Sequence, residues 1–340
     1  MSRRRICVIG AGVIGVSTAA RIQDTIPGVD ITIVAEKFSP YTTSDGSGGF
    51  WEPHVLAETP IEKQLEWSKE TFEHINSLLG TAHARDAGLN YVSGYSLHTS
   101  YQEDPFWKDI VFGFRHLTKR ELQLYPGHSH GWFHTTWVAN CRTYIPWLMA
   151  QFRRKGGRVI KRKVQRIEEL VPDYDIVVNC CGLGAYDLLN DKTVVPVRGQ
   201  VIRVSASWLK HFIILEDRDQ ETYRYMLPNS DTIVIGGTAD EGQWDTTVSQ
   251  STKRDIWENA CKVIPSLKDA VIVEDWVGLR PSRPRVRIEI EHMNLKNRDV
   301  PVVHNYGHGG AGVTLHWGCA GEATSLVQSC LKDTKKLSKL

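Results

Sequence analysis

No apolar run in this 340-residue sequence approaches the roughly 20 residues needed to cross a bilayer. No apolar h-region follows the first residues either, so a secretory signal is not expected. Charge of one sign is also lacking: 41 Lys and Arg against 39 Asp and Glu leave a formal net charge of +2. That balance gives no grounds for a nucleic-acid partner or for membrane insertion, and the basic patch Arg3, Arg4, Arg5 reads as a solvated N-terminus. The cysteines Cys7, Cys141, Cys180, Cys181, Cys261, Cys319 and Cys330 contain no C-x-x-C pair, so reduced thiols acting as small hydrophobes are expected. Internal repeats, low-complexity segments and proline- or serine-rich linkers are missing. The expectation is an intracellular, soluble globular protein, long enough for two domains or one large α/β domain.

What is present is concentrated between Arg5 and Glu36. The short uniform run Ile6, Cys7, Val8, Ile9 suits a strand buried on both faces of a parallel sheet. Gly10, Gly12 and Gly15 follow in G-x-G-x-x-G spacing. The first permits the tight turn, the second lets backbone approach a pyrophosphate, and the third lets the helix pack on the strand. A helix over Val13 to Thr25 then aims N–H groups and its positive dipole end at that phosphate. Ile31 to Ala35 makes a second strand, ending at Glu36, whose carboxylate suits the hydroxyls of an adenosine ribose. Strand, turn, helix, strand and acid in this order predict dinucleotide binding, with Gly10, Ala11, Gly12, Val13, Ile14 and Gly15 at the cofactor. The bland alternative is a tight turn without a nucleotide.

Next comes a hydroxyl- and glycine-rich stretch, Lys37 to Gly49, either a plain surface loop or a set of donors beside the first turn. Thr59, Pro60, Ile61, Glu62 predict a capping box ahead of a helix reaching Leu79. Asn90 to Phe114 alternates like a half-buried sheet, and Thr118 to Glu121 is a second capping box. A helix over Tyr144 to Lys155 stops at Gly156 and Gly157. Strands over Arg158 to Val164 and Asp175 to Cys180 follow, and β-type alternation resumes from Val194 to Ile235. A helix near Thr252 to Val263 precedes the proline-stiffened loop Gly278 to Pro284. Val302 and Val303 lead through the glycine-rich Tyr306 to His316 into a helix from Gly318 to Leu331. The predicted class is α/β: a Rossmann-like domain assembled from segments 1–55, 141–193 and 286–340, and a β-rich, mixed-sheet substrate domain from 56–140 and 194–285.

Gly307 to Thr314 forms a second glycine-rich approach to a ligand. N–H groups there, near the N1–C2=O edge of a flavin, would stabilise the charge that appears on reduction. His304 and His308 are four apart, but without a carboxylate or cysteine nearby no metal is expected. Arg280 on a stiff loop can grip a substrate carboxylate bidentately, or can belong to an exposed basic loop with Arg283. Tyr223 and Tyr225, at strand period two, can offer phenols to the same carboxylate or be half-buried sheet residues.

These residues together resemble the FAD-dependent D-amino acid oxidases and their relatives the D-aspartate oxidases. The motifs are VIGAGVIG at Val8 to Gly15, TTSD at Thr42 to Asp45, VRGQV at Val197 to Val201, GLRPSRP at Gly278 to Pro284, NYGHGGAGVTLHWG at Asn305 to Gly318, and the terminal SKL. The resemblance implies that Arg280 holds the substrate α-carboxylate, with Tyr225 and Tyr223 hydrogen-bonding it, and that the Gly310 carbonyl takes the amino group. It places Glu36, Lys37, Thr42, Thr43, Ser44, Gly49, Phe50 and Val164 on FAD, with Gly309, Gly310, Ala311, Gly312, Val313 and Thr314. Hydride transfer from Cα to flavin N5 then gives an imino acid that hydrolyses to a 2-oxo acid and ammonia, while dioxygen is reduced to hydrogen peroxide. A peroxisomal matrix location, through an import receptor reading Ser338-Lys339-Leu340, fits that product, and a homodimer is left open.

Two family features differ: Ala311 replaces the glycine-loop tyrosine, and Glu36 stands where aspartate is usual. On substrate, the resemblance divides. Thr238 and Ala239 after Gly236-Gly237, together with Gly310 and Trp51, look like the neutral-substrate group. VRGQ, VGLRP and His54 look like the aspartate group, where Arg218 or Arg224 would supply the second cation. The expectation drawn is a neutral D-amino acid oxidase, with D-aspartate oxidase as the alternative. A catalytically inactive flavin-binding protein and a nicotinamide-dependent dehydrogenase are the readings of another class.

Overall fold

The computed structural model describes residues 3–54, 56–217 and 222–337, with the side chains of 217, 222, 223 and 333–337 left out of that description. Arg218 and Ser338-Lys339-Leu340 therefore lie outside the described residues, as does the side chain of Tyr223.

The chain opens with β1 (Arg4–Ile9), α1 (Val13–Thr25) and β2 (Val29–Ala35), then α2 (Ile61–Leu79). Next come β3 (Leu89–His98), β4 (Phe112–His116), α3 (Lys119–Leu122), β5 (His130–Ala139) and α4 (Cys141–Arg154). The middle holds β6 (Arg158–Lys161), β7 (Ile176–Asn179), α5 (Ala185–Leu188), β8 (Val195–Ser205), β9 (Phe212–Asp217), β10 (Thr222–Pro228), β11 (Ile233–Gly236) and β12 (Asp240–Glu241). The last elements are α6 (Gln250–Val263), β13 (Val271–Leu295), β14 (Arg298–His308) and α7 (Gly312–Leu337).

Ile6 to Ile9 are buried on both sides because β1 is flanked by parallel neighbours, with Ile6 opposite Ile31 of β2 and Ile176 of β7. The parallel layer runs β14-β7-β1-β2-β6. On one face α1, α4 and α7 bury Val16, Ile22, Phe152 and Val327 against Ile6, Val8 and Val303. The other face covers Cys7, Ile9, Val177 and Val302 with Ile167, Leu170 and Val171. A second group of strands, β4-β5-β3-β9-β10-β11-β8-β13, is antiparallel apart from the β3–β9 pair. There α6 packs Ile256, Ala260 and Cys261 on Ile202, Val204, Met226 and Ile235. The 25-residue β13 joins the two, pairing with β8 from Val271 to Ser282 and with β14 from Ser282 to Leu295. The result is an α/β fold on one large mixed sheet.

Several local expectations need correction. Gly278 to Pro284 is not a loop but the middle of β13. Pro281 lies opposite Pro196, where two residues without donors meet, and Pro284 falls where the β14 ladder lapses between Ser282 and Arg287. Thr59 caps nothing: Pro60 is the N-cap of α2, and the Thr59 hydroxyl accepts from the Val286 N–H at 3.1 Å. The second box does form, with Thr118 and Glu121 exchanging hydrogen bonds. Helix α7 starts at Gly312 instead of Gly318. Glycine weakens an isolated helix, but a Cβ on Gly318 would sit 2.4 Å from the Trp67 carbonyl, so the residue is what lets α2 and α7 approach. The stretch between β3 and β4 is turn, and Trp107 within it is a core residue. The described cysteines are free thiols, all buried except the half-buried Cys181. Among the described residues no helix is long and apolar enough to cross a membrane.

Candidate active site

A single cleft of about 1560 Å³ runs from the carboxyl ends of β1 and β2 to the β13–β14 junction. Pockets for one drug-sized ligand are about 300–1,000 Å³, so this cleft has room for a dinucleotide and a small substrate together.

At one end, Gly10 has φ +106°, and a Cβ there would lie 2.4 Å from the Cys180 carbonyl oxygen. Gly12 is the N-cap of α1 and has no side chain to offer the helix N–H groups. Ser44 Oγ instead accepts from the Val13 N–H at 3.1 Å. Ser44 belongs to the turn Thr43–Gly46, which is held by the buried Asp45 carboxylate through Thr42 N (2.9 Å), Thr42 Oγ1 (2.6 Å) and Ser39 Oγ (2.5 Å). The hydroxyl-rich stretch is thus a wall of the cleft. Glu36, exposed at the end of β2, shares this end with Lys37, Val164 and the basic run Lys161 to Lys163. Gly15 does not face the cleft: its missing Cβ would fall 2.1 Å from the Gly10 carbonyl oxygen, so it serves helix–strand packing. A backbone cradle, a helix N-terminus and a carboxylate at the end of the second strand fit the pyrophosphate and adenosine of FAD.

At the other end, a short 3-10 turn over Gly309–Ala311 feeds α7, and Gly309, Gly310, Gly312 and Val313 line the cleft. His308 lines it too. Burial pulls its imidazole down to about 3, and its Nε2 has no hydrogen-bond partner among the described residues. The side chains of two expected contacts are engaged elsewhere. Ala311 packs with Leu56, Trp67 and Leu315. Thr314 donates its hydroxyl to the Glu52 carbonyl (2.9 Å) and accepts from the Glu52 N–H (3.2 Å), tying α7 to the segment after Gly49 and Phe50. Gly49 (φ +69°) and Phe50 line the cleft. The glycine turn, a helix N-terminus and an unpartnered imidazole nitrogen suit the polar edge of an isoalloxazine ring.

Arg280 projects from β13 at this same end of the cleft. Its guanidinium lies over Gly199 of β8, where a Cβ would come within 2.4 Å of Nη1. Its hydrogen bond among the described residues is from Nη1 to the Thr238 carbonyl at 2.9 Å, so most of its five donors remain for a ligand. Gly310 is adjacent, with an added Cβ only 3.6 Å from Arg280 Cδ. Tyr225 of β10 presents its ring against Gly236 and Gly237 and lines the same cleft. The backbone of Tyr223 pairs with Glu216, and its side chain is outside the described residues. His54 also lines this end. Burial, and then the nearby Arg280 charge, lower its pKa to about 4, so the imidazole is neutral at pH 7.

Three substrate-specificity candidates are placed elsewhere. Trp51 is fully buried with its Nε1 donating to the Ser68 carbonyl, and it does not line the cleft. Arg224 faces a separate, smaller cavity of about 240 Å³ beneath α6. Arg198 of VRGQ is a structural cation, bonded to the Asp245 and Thr247 carbonyls and to Asp240.

Some site residues have no sequence signal. Trp276 lies between Gly46 and Gly278, each of which would place a Cβ within 1.9 Å of its ring. It thereby joins the Thr43–Gly46 turn to the arginine strand. Buried Arg203 donates to the Asp45 and Ser47 carbonyls (3.2 and 3.3 Å), holding the same turn from β8. His304 does have a carboxylate beside it, Glu291 at 3.0 Å on the neighbouring strand. Sequence spacing hid that partner, and the pair is a cross-strand contact.

Comparison with known proteins agrees with this geometry. The chain is 41% identical over 333 residues to a human D-aspartate oxidase, covering 97% of this chain and 96% of the relative. It is 36% identical over 328 residues to a D-amino-acid oxidase of Rubrobacter xylanophilus, covering 96% and 97%. It is 33% identical over 337 residues to a D-amino acid oxidase of Dugesia ryukyuensis, covering 97% and 99%. A solved glycine oxidase from Geobacillus kaustophilus shares the fold, with a TM-score of 0.76 at 19% identity over 96% of this chain and 95% of that one. With the FAD dependent oxidoreductase profile matching residues 5–326, the chain belongs to the FAD dependent oxidoreductase family.

Proposed function

We propose that this chain oxidatively deaminates D-amino acids and that its preferred substrates are the dicarboxylic ones, D-aspartate foremost. The observation that carries the reading is Arg280: a guanidinium with donors to spare, set by a strand and a missing Cβ at Gly199, in the wall of the cleft that takes the flavin. A planar fork of this kind grips a carboxylate bidentately. The Gly310 carbonyl beside it can accept from the amino group, so the two polar ends of the substrate are fixed. Tyr225 adds a phenol near the carboxylate. When bound, FAD supplies the hydride acceptor for Cα and passes the electron pair to dioxygen, giving hydrogen peroxide. Positioning is the protein's share, and the imino acid released hydrolyses to a 2-oxo acid and ammonia.

The dicarboxylic preference replaces the first expectation of neutral substrates. It is supported by the higher identity to a D-aspartate oxidase than to the two D-amino acid oxidases above. It is supported also by the removal of Trp51 from the cleft wall. A second carboxylate needs a cationic partner when it leaves water. His54 is at hand: a carboxylate beside it would favour its protonated form against the opposing effects of burial and Arg280. Neutral specificity keeps support from Thr238 and Ala239 after the glycine pair, which look like the neutral-substrate group. We assign the parallel layer to the cofactor and the antiparallel strands to the substrate, dividing the chain as 1–55, 141–193 and 286–340 against 56–140 and 194–285.

Anaerobic mixing with D-aspartate, D-alanine and their L-enantiomers, read from the flavin's visible bands, tests the reading. Faster bleaching by D-aspartate supports it. Faster bleaching by D-alanine restores neutral specificity, and bleaching by no D-amino acid refutes the enzyme.

A further inference from the structure

The ladder between β13 and β14 lapses at the site. Ser282 pairs with His308 and Arg287 with Tyr306, leaving residues 283–286 opposite Gly307 alone. Arg280 stands two residues before Ser282 on β13, and Gly310 two residues after His308, so the gap lies at the base of both. Backbone hydrogen bonds do not fix the relative position of the two strands there. Side chains do. Asp191, from the segment between α5 and β8, accepts with Oδ2 from Arg283 Nε (3.1 Å) and from the Tyr306 hydroxyl (2.8 Å). Its Oδ1 is held by Thr193 N (3.0 Å) and Thr193 Oγ1 (2.5 Å). The Tyr306 hydroxyl in turn accepts from Arg287 Nη1 at 2.9 Å. Gly307, at φ +87°, makes room for the Arg283 stem, since a Cβ there would lie 2.9 Å from Arg283 Cβ. Burial opposes ionisation of Asp191, but the hydrogen bonds from Thr193, Tyr306 and Arg283 outweigh it and bring the carboxyl to about 2. Asp191 is not part of the cleft wall.

We propose that Asp191 is a positioning residue: by gripping Arg283 and Tyr306 across the gap, it fixes the offset between the Arg280 guanidinium and the Gly310 carbonyl. The proposal rests on the roles given to Arg280 and Gly310 above. An acceptor-only carboxylate suits four donors, two on each oxygen, whereas an amide in its place must turn its NH2 toward one pair, either Arg283 and Tyr306 or the N–H and hydroxyl of Thr193. A misplacement of about 1 Å can cost a hundredfold in a positioned reaction. The strands here stay paired on either side of the gap, so the expected loss is smaller.

The test uses the FAD-loaded full chain and two non-oxidisable probes, malonate with two carboxylates and propionate with one, titrated against the flavin spectrum. The probe followed is the one wild type binds more tightly. In Asp191→Asn its dissociation constant should rise on the order of tenfold, while the FAD dissociation constant stays within about twofold. Tyr306→Phe, which keeps the ring packing, should move the probe constant in the same direction by less. The double variant should be no worse than Asp191→Asn alone, because both cut one link. If Asp191→Asn does not fold, Tyr306→Phe decides: weakened probe with unchanged FAD supports the proposal, and an unchanged probe overturns it. Equal losses of probe and FAD, or additive single effects, also overturn it by marking a general structural role. A wild type reduced by D-amino acids, with probe affinity unchanged in Asp191→Asn, sinks this proposal alone. A wild type reduced by none sinks it together with the functional reading.

Discussion

The two ends of the cleft are built differently. The end at the first glycine turn is local: β1, its glycine turn, α1, β2 and Glu36 follow one another within 36 residues. The Arg280 end is collected from across the chain, with Gly199 on β8, Tyr225 on β10, Thr238 after β11, Arg280 on β13 and Gly310 before α7. Adjacent elements can be specified by spacing and backbone freedom. Distant ones must be held in register by strand ladders and by side chains such as Trp276 and Asp191. The comparison also separates two uses of glycine. At Gly10 the backbone needs a positive φ, while at Gly199 the conformation is ordinary and the space is wanted by another side chain.

Acid should break both ends together and gives the largest effect. Burial lowers His54 and His316 to about 4, His134 and His308 to about 3, and His74 to about 2, below the ordinary 6.5. Each binds its proton more readily when unfolded. Their contribution to stability is therefore complete above about pH 6.5 and is lost progressively as pH falls from there through 4 and below. Urea midpoints measured from pH 8 to 4 should be level at first and then drop. A midpoint that stays constant down to pH 4 would contradict the buried neutral histidines.

Arg280→Ala should break the substrate end alone, because truncating one partner of a desolvated charge pair costs about 2–5 kcal/mol. We expect kcat/KM with D-aspartate to fall by roughly a hundred- to a thousandfold, with FAD content unchanged. Retained turnover would refute the carboxylate assignment.

Gly10→Ala should break the cofactor end. A Cβ at φ +106° and 2.4 Å from the Cys180 carbonyl oxygen forces a backbone shift, and strain of this kind costs about 1–3 kcal/mol. The purified variant should carry less FAD and unfold at lower urea. Full FAD content would show that the turn relaxes.

Gly199→Ala sharpens the contrast most finely. The added methyl meets the end of a flexible side chain, so Arg280 can move, and KM should rise on the order of tenfold with FAD affinity held. A parallel loss of FAD would mean that the two ends are not separable.

Legibility followed the same division. The fingerprint, its helix and both strands could be read from spacing, and the structure has them at those positions. The capping box at Thr118 was equally readable, being a contact within four residues. The Thr59 box failed because Val286, 227 residues away, takes the same hydroxyl. GLRPSRP looked like a loop because prolines interrupt strands. It is a strand because its prolines fall opposite another proline and at a ladder gap, neither visible without the partner strands. Trp51 pointed toward neutral substrates as a motif residue, yet its side chain is in the core, facing Ser68.

By itself the sequence determined the α/β class and the dinucleotide turn, since each depends on neighbours in the chain. It also supplied the residue types for carboxylate recognition. Only the tertiary structure decided which of those residues share a cleft. It set Arg280 over Gly199, sent Arg224 to a different cavity, turned Thr314 onto Glu52 and brought Asp191 to the gap between β13 and β14. Side-chain direction in a long-range sheet is fixed by register, and register is a property of the paired strands together.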